Sequence, residues 1–410
     1  MAQLGRREHY AIPIALNRAG MLAHFFTDTY AGPGSWLHHF AKLVPSSCQK
    51  GPIAHALTRT CEIPGEKVTA FNYFGALNRY KLSRVKSLKE LGQVYVWAAK
   101  QFNQQILEHK DKLCSSQAIY AMNGALELFS FGKSQELKLI FNQIRPSIYE
   151  DKLVAEESHL YSDWQTEPDT LCEGEILERI LSEYELADII IVNSDFSKKA
   201  LMSVGVDSAR IRIVPLAIDT KRFCPFNDKP KTDKVNFLFL GQVCLRKGIH
   251  YALEAMRLVR SNNVTLTISG SLDFKLNRDK LQSYSDLYNY TGYVTGNKVE
   301  NNYQMADVFI FPTISDGFGL TQLEAMACGL PVITTPNCAA IVRDGIDGFI
   351  VPIRDAQALA EKMDILARDH ELRAWMSQNA RQRAEEFSWE IYGERLIEQC
   401  LGVIKDNKVT

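Results

Sequence analysis

Two carboxylates separated by seven residues, Asp316 and Glu324, bracket the most chemically loaded stretch of this 410-residue chain. Between them stand Gly317, Phe318, Gly319, Leu320 and Thr321. The apolar, β-rich run from Val308 to Pro312 predicts a buried strand. A glycine loop holding Asp316 follows it, and then a helix that begins near Gly319 and carries Glu324 one turn in. Glycines let the backbone approach a ligand closely, and the unpaired amides of a new helix face an anion. Acids on either side of a phosphate placed there reach sugar hydroxyls, so the pattern is that of an anion-and-sugar site. A plainer reading makes Asp316 an N-cap and Glu324 a solvated helix residue. It accounts for one acid but not for the pair with this loop.

The elements that must position this loop alternate. From Asn236, short β-rich runs (Asn236 to Leu240, Val264 to Ser269, Val308 to Pro312, Val332 to Thr335, Gly348 to Val351) are interleaved with amphipathic helices, a doubly wound α/β signature. Over 247–260, Ile249, Leu253 and Met256 share one stripe with Glu254 and Arg257 outside it. The first half offers candidate strands at Met1 to Leu4, Phe25 to Asp28, Ala118 to Met122, Leu137 to Phe141, Asp188 to Asn193 and Arg210 to Leu216. It reads as a second Rossmann-like domain. Pro225 to Lys234, rich in Pro, Lys and Asp, has the composition of a linker.

Asp316 to Ile333 resembles the signature of retaining glycosyltransferases of family 4: acid, seven residues, acid, then Ala-Met-Ala-x-Gly-x-Pro-Val-Ile, with Asp for the usual first Glu. The resemblance implies the GT-B fold, an α/β architecture of two Rossmann-like doubly wound domains facing a central cleft. Residues 1–224 would bind the acceptor and 235–388 the nucleotide sugar, with a last helix over 389–410 returning to the first domain. It also implies that Glu324 accepts hydrogen bonds from the donor ribose and that Asp316 holds a sugar hydroxyl. Gly317, Phe318, Gly319, Leu320 and Thr321 would offer amides to the β-phosphate and sugar, and the strand ends at Val294 and Gly270 would border the nucleobase.

The segment Gly241-Gln-Val-Cys-Leu-Arg-Lys-Gly248 joins a strand to its helix and resembles the family's Gly-Arg-Leu-x-x-x-Lys-Gly, with Gln242 in place of the arginine. Lys247, with Arg246 beside it, would stabilise the charge that grows on a departing diphosphate, a role two fixed cations fill without a metal. On the acceptor side the chain departs from the family. Gly5 stands where a Gly-Gly turn is usual, Asn142 where a histidine is usual, and His9 is the better-placed histidine. Glu156 and Glu157 read as solvated loop charge rather than as acceptor contacts, and Arg79, Lys81, Arg84, Lys86 and Lys89 as a solvated helix face over an apolar stripe. Such a basic run also suits anionic lipid. No Asp-x-Asp or zinc-type spacing occurs, so no metal site is expected.

Composition narrows the classes further. A net charge of -1 gives no bulk attraction to nucleic acid. Nine scattered cysteines without a Cys-x-x-Cys pair fit a reducing compartment. No apolar run approaches the roughly 18 residues of a spanning helix, so a cytoplasmic protein is expected, with peripheral contact at the inner face of a membrane left open. The expected activity is retaining transfer of a hexosyl group from a UDP- or GDP-linked donor to a saccharide, lipid-linked or small-molecule acceptor. No bound cofactor is expected, the nucleotide diphosphate sugar being a co-substrate. A nucleotide-sugar epimerase or a phosphorylase of the same fold, and a catalytically weak nucleotide-sugar-binding subunit, are the alternatives.

Overall fold

Short, mainly apolar runs such as Ile189–Val192 and Val308–Phe311 become parallel strands because both of their faces are covered. The computed structural model describes residues 1–32, 35, 37–38, 57–165, 171–226, 229, 232–295 and 297–405. One sheet contains β1 (Ala2–Gln3), β2 (Phe25–Thr27), β3 (Val68–Ala70), β4 (Ala118–Met122), β5 (Lys138–Gln143), β6 (Ile189–Val192) and β7 (Ile211–Ile213), in the order β3-β2-β1-β4-β5-β6-β7. The other contains β8 (Val235–Leu240), β9 (Val264–Ser269), β10 (Asn289–Gly292), β11 (Val308–Phe311), β12 (Val332–Thr334) and β13 (Gly348–Ile350), in the order β10-β9-β8-β11-β12-β13. Neighbouring strands pair parallel in both. The order reverses between β1 and β4 and again between β8 and β11. Those are the switch points outside which α/β sheets bind ligands.

Alternation along a strand feeds two cores per sheet. In β6, Ile190 joins Phe129 and Phe141 on one face, while Ile189 and Ile191 join Tyr10, Ile12 and Phe25 on the other. Pairing of Val308 with Phe237 and of Phe309 with Leu238 sets the ends of β8 and β11 level, so the loops that leave them start side by side.

β3 and β10 were not anticipated from the sequence. Both lie at sheet edges, and the Asn-Tyr-Thr-Gly of β10 is mostly exposed, so neither carries the apolar signal of an interior strand. The basic run is likewise not one helix face. The helix Asn72–Leu82 ends within it, and Ser87 begins the next, Leu88–Leu107, by accepting from the Glu90 amide (3.2 Å) while Glu90 Oε2 accepts from the Lys86 amide (2.8 Å). Lys81 and Arg84 instead lie over the rings of Trp97 and Tyr80.

The helix Trp389–Lys405 returns to the first sheet, where Tyr392, Leu396, Cys400 and Val403 complete the core built on Tyr10 and Ile12. The two strands of chain that pass between the sheets touch: the Ile218 amide donates to the Phe387 carbonyl at 2.9 Å.

Glu157 corrects the reading of a solvated acidic stretch. It lies on the helix Ser147–Leu160 and is fully buried. Its Oε1 lies 2.7 Å from His250 Nε2 and accepts from Tyr251 Oη at 2.6 Å, while its Oε2 accepts from Arg354 Nε at 2.7 Å. Glu156, the exposed neighbour, pairs with Arg354 at 3.1 Å. Trp164, a few residues on, packs in the core of the second sheet with Phe237 and Leu253. A segment ahead of the expected boundary at 224 thus helps to build the second core. Glu157→Ala leaves the buried His250 and Tyr251 and the half-buried Arg354 without this acceptor and should cost on the order of 3 kcal/mol, with Glu157→Gln costing less. Urea unfolding measures both, and an unchanged midpoint for the alanine variant would rule out a structural role for the network.

Candidate functional site

The loops leaving β8 and β11 are stitched together by backbone. The Ile314 amide (2.9 Å) and Thr313 Oγ1 (3.1 Å) both donate to the Arg246 carbonyl, and the Asp316 amide donates to the Asn337 carbonyl at 2.9 Å. Gly248, at φ 73°, closes the turn, and any side chain there would collide with the Pro312 carbonyl. Arg246 and Lys247 are thereby held facing the β11 loop.

Asp316 is the hub. Its Oδ1 accepts from the amides of Phe318 (3.1 Å) and Gly319 (2.9 Å), and its Oδ2 is paired with Lys247 Nζ, with Arg246 Nη1 at 3.8 Å. Burial alone would raise its pKa, but Lys247, then Arg246, and the Phe318 amide hold it down to about 2. Lys247 Nζ also lies 4.8 Å from the centroid of Phe311. The amides of Phe318 and Gly319, expected to face a donor phosphate, are turned onto Asp316 here. An aspartate two or three residues ahead of free amides closes such a turn readily.

Gly317 serves the approach of the other domain. Its carbonyl accepts from Ser194 Oγ and from Ser197 Oγ (3.2 Å), and a Cβ on it would stand 2.5 Å from the Ile144 carbonyl. Leu320 opens the helix Leu320–Ala327, on which Thr321 Oγ1 is buried without a partner among the described residues. One turn in, Glu324 Oε2 accepts from Tyr303 Oη at 2.7 Å. Burial pushes the Glu324 pKa up to about 7; Tyr303 and Arg222 oppose the rise and Glu300 adds to it.

Gly270, at φ 143°, donates its amide to Gly292 (2.9 Å) and lies against Gly241, so the end of β9 meets the end of β8 with no room for a side chain. Val294 is half-buried just beyond β10.

A cavity of about 610 Å³ opens at the carboxyl ends of the first sheet, beside Gly5, Asp28, Gly124, Ile144 and Arg145. Gly5 donates its amide to Asp28 Oδ1 at 2.9 Å. After it the backbone runs left-handed through Glu8, His9 and Tyr10, at φ 48°, 52° and 65°. Such conformations cost roughly 1–2 kcal/mol per residue. The turn is held by Gln3 Nε2 on the carbonyls of Gly5 and Arg7, by Tyr10 Oη on Thr29, and by Tyr392 Oη on Glu8 (2.7 Å). His9 is exposed, and Asn142 is buried in β5. Neither is among the residues lining the cavity.

Sequence reasoning missed Arg145 and Glu150. Glu150, fully buried, pairs with Arg145 of the cavity wall, lies 3.7 Å from Arg246 and accepts from Ser315 Oγ at 3.1 Å, joining the cavity to the β11 loop. The only available signal was Arg145-Pro146 directly after a strand. Among the described residues, no group of three or more His, Cys, Asp or Glu side chains is placed to hold a metal, and no helix is long and apolar enough to cross a membrane.

Residues 221–383 match the family model of the glycosyl transferases group 1. The chain is 32% identical over 228 residues to the capsular polysaccharide biosynthesis glycosyltransferase CapM of Staphylococcus aureus, covering 53% of this chain and 60% of that protein. It is 29% identical over 254 residues to a D-inositol 3-phosphate glycosyltransferase of Corynebacterium urealyticum, covering 56% and 58%. The match thus spans less than two thirds of each relative. The fold is that of GT-B glycosyltransferases. Sucrose-phosphate synthase from Thermosynechococcus elongatus superposes with a TM-score of 0.64 at 20% identity over 96% of this chain and 92% of that one. Anabaena HepE in complex with UDP and glucose does so with 0.63 at 15% identity over 98% and 100%.

The raised pKa of Glu324 has a measurable sign. Its folded value near 7 against an ordinary 4.5 means that stability is full below about pH 4.5 and is lost as pH rises through 7. Glu324→Gln should therefore gain stability relative to the parent between pH 5 and pH 8. Melting temperatures at the two pH values decide it, and an equal difference at both would refute the shift.

Proposed function

We propose, from the match of residues 221–383 to the family model of the glycosyl transferases group 1, that the chain is a retaining hexosyltransferase of the family 4 type. It would use a nucleotide diphosphate sugar held by the second domain and an acceptor hydroxyl presented from the first. The observation that carries the reading is the meeting of Lys247, Arg246 and Asp316 at the joined ends of β8 and β11, with Glu324 one turn beyond. A UDP-linked hexose is the proposed donor, in keeping with the UDP and glucose of HepE. A saccharide acceptor accords with the polysaccharide biosynthesis named for CapM.

In this mechanism Glu324, ionised, accepts hydrogen bonds from the ribose, and the helix start at Leu320 and Thr321 faces the diphosphate. Lys247 and Arg246 stabilise the charge that grows on the diphosphate as the glycosidic bond breaks, with no metal required. A diphosphate bears more charge than one carboxylate, so it draws on the same cations that Asp316 keeps aligned. Asp316 also fixes a sugar hydroxyl, leaving one face of the ring open. The acceptor oxygen attacks from the side of the departing phosphate, a phosphate oxygen takes its proton, and no strong side-chain base is needed. Val294 and Gly270 border the nucleobase. Gly5, His9 and Asn142 remain the acceptor-side candidates of this reading, Gly5 being the one that lines the cavity.

Lys247→Ala should lower kcat/KM by on the order of 10² to 10³, with a smaller loss in donor binding. Steady-state kinetics on a folded variant test it, and activity within about threefold of the parent would remove Lys247 from the site. The stereochemistry is a separate test. Proton NMR of the first product from an α-linked donor should show an α linkage, and a β linkage would overturn the retaining assignment with the role given to Asp316.

A further inference from the structure

Resting on the reading that the first-domain cavity takes the acceptor, we infer that this acceptor carries an oxyanion, a phosphate or a carboxylate, engaged by Arg6, Arg7 and Arg59. Two cations of the cavity wall form no ion pair among the described residues. Arg6 and Arg7 both line it, and neither forms a salt bridge among the described residues. Every other charged group in the wall has a partner. Arg145 is matched by Glu150, and Arg179 forks onto Glu127 with two bonds of 2.7 Å. Asp151 Oδ2 accepts from the amides of Leu171 (2.7 Å) and Cys172 (2.5 Å), and Glu183 Oε2 accepts from the Gly124 amide (3.2 Å).

Arg59 points the same way. Its Nη1 holds Asp28 Oδ2 at 2.8 Å, yet its Nε is buried and finds no partner among the described residues. The guanidinium is thus only partly satisfied on the protein, and Arg59 lines the cavity. The planar donor fork of arginine matches an oxyanion with two parallel hydrogen bonds, which a neutral hydroxyl cannot accept in the same way.

The left-handed turn supplies the rigidity. Gly5 at φ 78°, then Glu8, His9 and Tyr10, wind the chain back at the end of β1, so that Arg6 and Arg7 border the cavity. The bonds from Gln3, Tyr10 and Tyr392 fix the turn from the core side. A turn held in this costly shape presents the arginines without further ordering on binding, which is how fixed groups gain affinity.

The test uses the full chain and thermal shift, first with UDP alone and then with UDP saturating, so that the diphosphate site is filled. To the UDP-loaded protein are added inorganic phosphate, glucose, glucose 6-phosphate or glucuronate. At least one anionic probe should bind about tenfold tighter than glucose and lose that advantage as salt rises. A response to phosphate and glucose 6-phosphate alone assigns a phosphate, and one to glucuronate as well assigns the broader oxyanion. The double variant Arg6→Gln, Arg7→Gln, at exposed turn positions, should bring the anionic sugars to within roughly threefold of glucose. Equal responses to all probes, including none, or an anion preference that the double variant keeps, would overturn the inference. Absence of a shift with UDP alone would instead count against the donor reading, and the two failures are therefore distinct.

Discussion

Two buried carboxylates on one helix, Glu150 and Glu157, fix how the sheets face each other. They stand two turns apart on the same side of Ser147–Leu160, the spacing that points side chains one way. Glu150 reaches Arg246 and Ser315 at the site, and Glu157 reaches His250, Tyr251 and Arg354 behind it. Buried charge is tolerated only when paired and hydrogen-bonded. Sliding one domain over the other would strip Glu157 of His250, Tyr251 and Arg354 and leave Glu150 with Arg145 alone. The helix therefore registers the domains, and the β11 loop inherits its position from that registry.

Around this anchor the site is a balance of opposite charges rather than a row of cations awaiting an anion. Arg145, Arg246 and Lys247 share Glu150 and Asp316, so each cation is already oriented and each acid already half-screened. Orientation that exists before binding need not be acquired during it. The same economy explains Gly317, whose missing side chain admits the Ile144 carbonyl and lets two serines of the first domain hold the loop.

Much of the second domain was legible in its sequence because its interior strands are rich in apolar and β-branched residues and its glycines sit at strand ends. The strand at Val308 and the helix after Gly319 stand close to where periodicity put them. Edge strands such as Asn289–Gly292 escaped because one side of them meets water. Glu157 was misread because burial depends on partners 93 or more positions away, in another domain, which no local pattern encodes. Arg145, Glu150 and the cavity beside Gly5 were invisible for the same reason: they exist only where several loops converge. In the site loop, Asp316 is not the N-cap that sequence reasoning allowed, since Gly319 stands at that position; it instead closes a turn on two amides ahead of the helix while pairing with Lys247.

The return of Trp389–Lys405 to the first sheet has a consequence for synthesis on the ribosome. The core around Tyr10 and Ile12 is completed by Tyr392, Leu396 and Cys400, so a core begun early in translation is finished only after the whole second sheet has been made. The second sheet, with every strand between Val235 and Ile350, is topologically an insertion and can close on itself earlier. Until the final helix emerges, the first domain presents an uncovered apolar face, the kind of surface that invites aggregation and chaperone capture. The order of translation thus runs against the order in which these cores are sealed.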